Sequence, residues 1–312
     1  MDLEPTDDQV ALVDELRRFL AARVPRPAPA DRSLWDELAA MGVLGLPVPE
    51  AAGGVGLGWA EAVLAFQALG RAAVAGPLVA TAAATALGVA EGVTGIVPQV
   101  HEGQPAFVEH LDLLDSLLVV GDDGVRRVAP PRDDARPVER PLDPFTPVAV
   151  VDRLPAGGAV GDAAASHRLR RHAALLAAAQ QVGLADAAVT LATGHAGERE
   201  QFGRPIGSFQ AVKHLLADAA VAVEVARAAV DAAAVTADEQ GDEPAVDRAV
   251  ASARVVASSA GHRATTTCVQ VHGGMGYTWE LDAHRYLKRV LVLDQSPGTV
   301  DAALDVLAGV LA

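Results

Sequence analysis

Apolar residues recur at helical spacing through most of the chain, and the first block of such segments is predicted to be all helical. Residues Asp7 to Val24 predict a first helix, because apolar side chains recur there every three or four positions. A second helix is predicted from Ser33, as its N-cap, to Met41. The Gly-rich residues 42–58 predict a loop. Residues 59–87 predict two more helices, separated near Gly76-Pro77. We therefore expect an N-terminal helical domain over residues 1–92.

The pattern changes between residues 93 and 160, where Gly, Pro and Asp become frequent. Four short runs rich in apolar and β-branched residues predict strands, and they read AFVEHL, SLLVVG, VRRVAP and TPVAVV. Between two of these runs, Asp122 to Gly124 predicts a hairpin turn. The segment is expected to form a small β domain between two helical blocks.

Residues 161–312 return to a helical pattern. Helices are predicted from His167 to about Gly197, from Ser208 to about Gln240 and from Pro244 to about Val271, with a last one in VDAALDVLAGVLA. Four such helices fit an antiparallel bundle. The predicted fold class is thus mostly α, with a small β middle segment and a C-terminal four-helix bundle.

Composition and charge narrow the range of functions. The formal charge of −15 disfavours a role on nucleic acid or on an anionic membrane. The Ala-rich runs are interrupted by polar residues, and the N-terminus is acidic without a signal-like segment, so we expect a cytoplasmic protein without a membrane span. The one cysteine, Cys268, excludes an internal disulfide and is expected to be a buried structural thiol.

The segment HAGEREQFGRPIGSFQ joins two predicted helices through a short Gly/Pro loop, with Ser208 as the expected N-cap of the second helix. The loop holds Arg199, Gln201, Phe202 and Arg204 near a helix N-terminus. Guanidinium groups and free backbone N–H groups at such a place suit phosphate. The alternative interpretation is a solvated helix end followed by an ordinary turn.

Two motifs resemble signatures of the acyl-CoA dehydrogenase family. The first is E-R-x-x-F-G-R-P-I-x-x-F-Q, Glu198 to Gln210, and the second is QVHGGMGYTWE, Gln270 to Glu280. The run LP-x-PE-x-x-GG-x-GL near the N-terminus is also similar to the helical domain of that family. The resemblance implies FAD as cofactor, an acyl-CoA thioester as substrate, α,β-dehydrogenation as reaction, and a flavin site built partly between two subunits.

The same resemblance implies the cofactor contacts. Arg199 matches an arginine on the cofactor diphosphate, and the segment from Gln270 to Gly274 matches one that binds the adenine end from a neighbouring subunit. Two consecutive glycines let a backbone approach closely, because no Cβ stands in the way. The matching residues are Arg199, Gln201, Phe202, Phe209, Gln210, Gln270, Gly273, Gly274 and Thr299.

The chain departs from the family at the catalytic base. Pro297 stands where the family's usual glutamate precedes Gly-Thr, and a proline cannot take a proton. The second location for a base, on the helix before the first motif, holds Ala173 and Ala174. Asp294 is the nearest carboxylate that could serve instead, and its alternative interpretation is a solvated loop aspartate. The histidines His172, His214 and His272 show no metal-ligand spacing, so no metal is expected.

The middle segment also departs from the family. It lacks the Thr-Glu stretch and the later Trp-Ile-Thr that contact the flavin in the family, so a complete flavin pocket within one subunit is not expected. These departures favour a hetero-oligomer with a second, longer acyl-CoA dehydrogenase-like subunit, with a homo-oligomer as the other arrangement. Two alternative functions stay open at this point: a non-catalytic FAD-binding subunit that supports a catalytic partner, and a helical scaffold that has lost the cofactor.

Overall fold

The computed structural model describes residues 4–239 and 243–311, and it opens with a helical block that matches the predicted one. Two 3₁₀ turns occupy the Gly-rich loop. The second helix is capped by Asp31 rather than by Ser33, because the Asp31 carboxylate accepts a hydrogen bond from the Ser33 backbone N–H at 3.0 Å. The helices of this block are α1 (Asp7–Arg23), α2 (Arg32–Ala40), α3 (Trp59–Arg71) and α4 (Leu78–Ala86).

The middle of the chain forms two small sheets. The first has the strand order β1-β3-β4-β7, in which β1 and β3 are parallel and the other pairs antiparallel. The second is antiparallel with the order β2-β6-β5. The strands are β1 (Thr94–Pro98), β2 (Ala106–Glu109), β3 (Ser116–Val120), β4 (Gly124–Val128), β5 (Ala135–Pro137), β6 (Val148–Val151) and β7 (Gly158–Asp162).

All four predicted strands are present, and Asp122-Asp123 forms the expected hairpin turn between β3 and β4. Strands β1, β5 and β7 were not predicted from the sequence. These strands contain Pro or several Gly residues, which weaken a strand pattern, and they form here because neighbouring strands pair with them.

The C-terminal block is built from long helices, as predicted, with differences at their starts. Asp162 caps α5, and its carboxylate accepts a hydrogen bond from the Ala165 backbone N–H at 2.8 Å. Ser208 does not cap α6; it lies in a 3₁₀ turn, and Phe209 takes the N-cap position. The predicted end near Gln240 falls outside the described residues. The helices are α5 (Ala163–Glu198), α6 (Gln210–Asp238), α7 (Glu243–His272), α8 (Ala283–Leu293) and α9 (Val300–Leu311).

Helix α8 is an addition to the four predicted helices of this block. It packs against α5 and α7, and α9 packs against α7. Its Arg289 is buried and joins all three parts of the chain, because the guanidinium donates to the Val74 carbonyl at 2.9 Å and pairs with Asp143 of the β domain. The predicted domain boundaries themselves stay a prediction.

Helix α5 is the core helix of the molecule. By length and composition it is the one helix in the described residues that could span a membrane, yet 78% of its apolar window is buried inside the protein. Its middle third packs on α3 so closely that both helices need glycine. A Cβ at Gly183 would lie 2.0 Å from the Gln67 carbonyl oxygen, and one at Gly70 would lie 2.1 Å from that of Gln180.

This crossing predicts that Gly183→Ala destabilises the protein. The new methyl group would meet backbone atoms of α3, so the helices must separate, at about 1–3 kcal/mol of unfolding free energy. Gly194→Ala, on the same helix with open space around it, is the matched control and should be neutral or up to about 1 kcal/mol stabilising. Urea unfolding of the three proteins checks this, and equal stability of Gly183→Ala and wild type would show that the close crossing is wrong.

Candidate functional site

The first motif forms an exposed hairpin at the end of α5. Strands β8 (Glu200–Gln201) and β9 (Arg204–Pro205) pair, and the two turn residues between them, Phe202 and Gly203, have φ values of 55° and 76°. Two positive φ angles are typical of the tight turns that suit hairpins. The hairpin places the Phe202 ring in solvent, 92% exposed.

Cations and aromatic rings surround this hairpin. The Arg204 guanidinium lies 4.1 Å from the centre of the Phe209 ring, and Phe202 meets the same ring edge to face at 6.1 Å. Gln201 is exposed, and its side-chain amide donates only to the adjacent Glu200 carbonyl among the described residues. Arg199 is also exposed, and its guanidinium has no hydrogen bond or ion pair within residues 4–239 and 243–311. The hairpin therefore presents an unpaired cation beside an aromatic surface.

The second motif ends α7. Gln270 is exposed on the last turn, and Gly273 ends the helix with a φ of 59°. A Cβ at Gly273 or Gly274 would meet no atom within 4 Å, so this stretch of backbone lies open to a ligand or partner. Gln210 is the exposed first residue of α6 beside the first motif.

A pair of stacked histidines joins the two motifs. The His195 ring on α5 lies 4.3 Å from the His272 ring on α7, with 26° between their planes. The His272 Nδ1 lies 2.7 Å from the Cys268 carbonyl oxygen, which accepts a hydrogen bond from it. Burial, then the neighbouring His272 and Arg199, lower the pKa of His195. Cys268 is a buried structural thiol, as expected, and burial raises its pKa to about 12.

The segment that carries Pro297 and Thr299 is the turn between α8 and α9, and a buried arginine fixes it. Arg254 of α7 is fully buried, and its guanidinium donates to the Leu293 carbonyl at 2.6 Å and the Gly298 carbonyl at 3.1 Å. Burial lowers the pKa of Arg254 to about 10, with Asp294 opposing the shift, so the group stays charged at neutral pH.

Asp294 belongs to the same network. Its carboxylate accepts hydrogen bonds from Gln181 Nε2 and from Ser258 Oγ, both at 2.7 Å, and lies 2.6 Å from His262 Nε2. Only 14% of the side chain is exposed. Asp294 is therefore not a solvated loop residue, and the structure gives it a role in holding α5, α7 and α8 together. Its assignment as a catalytic base stays a prediction.

The structure brings the two usual base positions together. Gly298 has a φ of 75°, and a Cβ there would lie 2.5 Å from the Arg170 carbonyl oxygen and 2.7 Å from the Ala174 Cβ. The Pro297-Gly298-Thr299 turn thus rests directly on the part of α5 that carries Ala174. Ala173 beside it is fully buried. The two usual base positions are thus adjacent in the structure, and neither Pro297 nor Ala174 supplies a carboxylate.

A cleft with a volume of about 660 Å³ separates this turn from the β domain. Most of its wall is apolar, and charged groups occur at Glu109, Asp122 and Arg170, of which the last two pair at 2.9 Å. The apolar wall includes Ile96, Phe107, Leu142, Val148, Leu291, Val292 and Pro297. Glu109 was not singled out by the sequence analysis, although the alternation of β2 places it on the outer face with Phe107.

The cofactor-type residues fall into two separate groups. Helices α5 and α7 run parallel, because Arg171 pairs with Asp247 near their starts and His195 stacks on His272 near their ends. Arg199 and the Gln270–Gly274 segment therefore lie at the same end of the bundle. Thr299 lies at the other end, beside Ala174. Arg199 follows Ala174 by 25 residues, which is about 37 Å along an α-helix. No single dinucleotide can contact both groups within this chain.

The motif end fits one part of an FAD molecule. An unpaired guanidinium suits a diphosphate, the open glycine backbone suits close approach, and the exposed Phe202 offers an aromatic surface. The flavin ring fits this chain less well than the diphosphate does. The described β domain contains no tryptophan and neither of the two stretches that face the flavin in the family.

One group of side chains of metal-ligand type occurs in the described residues. Ligand atoms of His167, Glu243 and Asp247 lie within 4.8 Å of one another. The Arg171 guanidinium donates to both carboxylates, at 2.8 Å and 3.2 Å. The group is therefore an ion-pair network between α5 and α7.

Comparisons with known proteins agree with this architecture. Residues 6–94 match the model of the acyl-CoA dehydrogenase N-terminal domain, and residues 161–311 match that of the C-terminal domain. The acyl-CoA dehydrogenase IpdE2 of Mycobacterium tuberculosis is 34% identical over 270 residues, which cover 83% of this chain and 80% of that protein.

Solved structures of the same fold cover nearly all of the chain or the whole of it. The ChsE4-ChsE5 complex from Mycobacterium tuberculosis superposes with a TM-score of 0.81 at 24% identity, covering 100% of this chain and 99% of the other. The Tcur3481-Tcur3483 steroid ACAD variant superposes with a TM-score of 0.79 at 25% identity, covering 98% and 99%. An FAD-dependent dehydrogenase of the same fold superposes with a TM-score of 0.81 at 19% identity.

The geometry of the motif end predicts that FAD binding depends on Arg199. Loss of a hydrogen bond to a charged group costs roughly 1.5–3 kcal/mol, so Arg199→Ala should weaken FAD binding by about one to two decades. Arg248→Ala is the matched control, because Arg248 is exposed near the opposite end of α7. FAD titrations of the assembled protein, followed by fluorescence, measure the affinities. Equal affinity of Arg199→Ala and wild type would remove Arg199 from the site.

Proposed function

This chain belongs to the acyl-CoA dehydrogenase family, and we propose that it acts in FAD-dependent α,β-dehydrogenation of an acyl-CoA thioester as one subunit of a mixed assembly. The partner in this proposal is a second, longer chain of the same family. A cytoplasmic location is part of the proposal, because the single cysteine, Cys268, is a free buried thiol, which fits a reducing compartment.

The distance between the two groups of cofactor-type residues carries the proposal. Arg199 and the Gln270–Gly274 segment lie about 37 Å along α5 from the turn with Thr299. An FAD bound at the motif end would therefore not reach the turn with Thr299 in the same chain, and its flavin ring would need contacts from another subunit. A homo-oligomer also supplies a second subunit, but every subunit then has the reduced β domain. A longer partner chain supplies a complete β domain.

Exposed aromatic side chains support a partner at the motif end. Besides Phe202, the Tyr277 side chain is 75% exposed and the Trp279 side chain 57%. Large apolar groups clustered at a surface are typical of interaction sites. On α6, Val221 and Val225 are also exposed, at 63% and 56%, away from the buried face of that helix. The neighbouring ChsE4-ChsE5 structure is a complex of two different chains, which also favours a mixed assembly.

In this proposal FAD, when bound, accepts the hydride from the substrate β-carbon. Arg199 binds the cofactor diphosphate, and the backbone at Gly273 and Gly274 approaches the adenine end. The cleft beside Pro297 binds the acyl group through its apolar wall and excludes water from it. Arg254 holds the turn that forms one side of that wall.

The proposal predicts that the cofactor-loaded protein is not a monomer. A monomer offers each FAD only one of the two groups of contacts and leaves the motif-end aromatics in water. Multi-angle light scattering with absorbance detection at the flavin band gives mass and cofactor content together. A flavin-loaded species of about 32.0 kDa would contradict the shared site.

The proposal also predicts that the chain alone, reconstituted with FAD, does not dehydrogenate acyl-CoAs at an appreciable rate. The missing flavin-facing stretches leave the ring without its usual surroundings, and reconstitution with a longer family member should restore turnover. Reduction of an artificial electron acceptor, with butyryl-CoA and 3-cyclohexylpropanoyl-CoA as substrates, measures the reaction. Robust turnover by the pure homo-oligomer would refute the need for a partner.

A further inference from the structure

A carboxylate faces the turn from which the usual base is missing. Strand β2 alternates buried and exposed positions, and Phe107 and Glu109 share its exposed face toward the cleft. Glu109 also lines a second, narrower cavity that continues from the cleft, and Ile96, Ser296 and Pro297 line both cavities as well. Glu109, from the β domain, and Pro297, from the α8–α9 turn, thus border the same space.

We propose that Glu109 accepts the proton from the α-carbon of an acyl-CoA bound in this cleft, in place of the glutamate that Pro297 replaces. The inference deepens the proposed function and rests on it for the substrate. It concerns the proton-transfer half of the reaction, whose groups are all in this chain.

The carboxylate of Glu109 is free to take a proton. Within residues 4–239 and 243–311 it has no hydrogen bond and no ion pair. The charged groups that act on its pKa, Arg289 of α8 and Asp143 of the β domain, pair with each other. Across the cleft, Arg170 pairs with Asp122. Asp294, by contrast, accepts hydrogen bonds from two side chains and lies outside the walls of both cavities.

The surroundings give Glu109 the acidity of a general base. The Glu109 side chain has accessible surface, but many protein atoms surround it, as they do a buried group. The reason is that its accessible surface faces the cleft rather than bulk solvent. Desolvation raises its pKa to about 7, with Arg289 opposing and Asp143 adding to the shift. A base is most effective when its pKa lies near the working pH.

The proton step balances without an oxidant. The α C–H bond breaks, the proton goes to a Glu109 carboxylate oxygen, and the electron pair enters the thioester enolate. When a flavin acceptor is in place, that pair forms the Cα–Cβ double bond as hydride leaves the β-carbon. Without hydride transfer, the enolate takes a proton back from solvent, so in D₂O the α-carbon acquires deuterium.

Deuterium exchange at the α-carbon therefore tests the inference separately from dehydrogenation. The full chain with added FAD is incubated in D₂O with butyryl-CoA or 3-cyclohexylpropanoyl-CoA, and mass spectrometry follows the label. We expect exchange by the wild type and a loss of about 10²–10⁴-fold in Glu109→Gln, the usual contribution of a general base. Glu109→Asp, which keeps a carboxylate, should recover part of the rate.

The matched control and the pH profile separate catalysis from structure. Glu102→Gln changes an exposed carboxylate in the loop before β2, outside both cavities, and should exchange like wild type. Because a raised pKa leaves Glu109 protonated below it, the wild-type rate should rise with pH through about 7, and the residual rate of Glu109→Gln should lack this step.

Two results would overturn the inference: no exchange by the wild type, or equal exchange by Glu109→Gln and wild type. Failure of the proposed function is seen elsewhere, as absence of acceptor reduction by the mixed assembly. Exchange that depends on Glu109 would stand even in that case, so the two failures are distinguishable.

Discussion

The fully buried guanidinium of Arg254 is the interaction on which the site depends. A buried charge is stable only when its donors are satisfied, and here the partners are two carbonyls of the α8–α9 turn, the Gln181 side chain and the nearby Asp294 carboxylate. The turn is therefore held against α5 with Gly298 in contact with Ala174. Neither usual base position, at Pro297 or at Ala174, holds a carboxylate, and the turn forms one wall of the cleft that Glu109 borders.

The length of α5 is the second constraint. Helix α5 has 36 residues, with the cleft near its start and the first motif at its end. The residues at its two ends are therefore too far apart to contact one cofactor molecule. The exposed aromatic residues at the motif end and the exposed valines of α6 lie where a second subunit could cover them. In this account the two ends of α5 have different roles. Residues at its C-terminal end contact a cofactor shared with a neighbouring subunit, and residues near its N-terminal end line the cleft that binds substrate.

The helices and the motif residues could be predicted from the sequence, whereas the helix caps and the contacts between distant segments could not. Long helices such as α5 and α7 follow from apolar periodicity, and the motif residues were found because their spacing is specific. The caps at Ser33 and Ser208 were wrong, because competing side chains and a 3₁₀ turn decide the helix starts. The network of Asp294 and the position of Glu109 could not be predicted, since both depend on segments more than 100 residues apart that meet only in the folded chain.

The structure of the FAD-loaded assembly, determined by electron cryo-microscopy, tests the shared site most directly. The account predicts that Arg199 of this chain contacts the diphosphate of a cofactor whose flavin ring lies in the cleft of another subunit. A cofactor whose diphosphate and flavin ring are both contacted by one copy of this chain alone would contradict it.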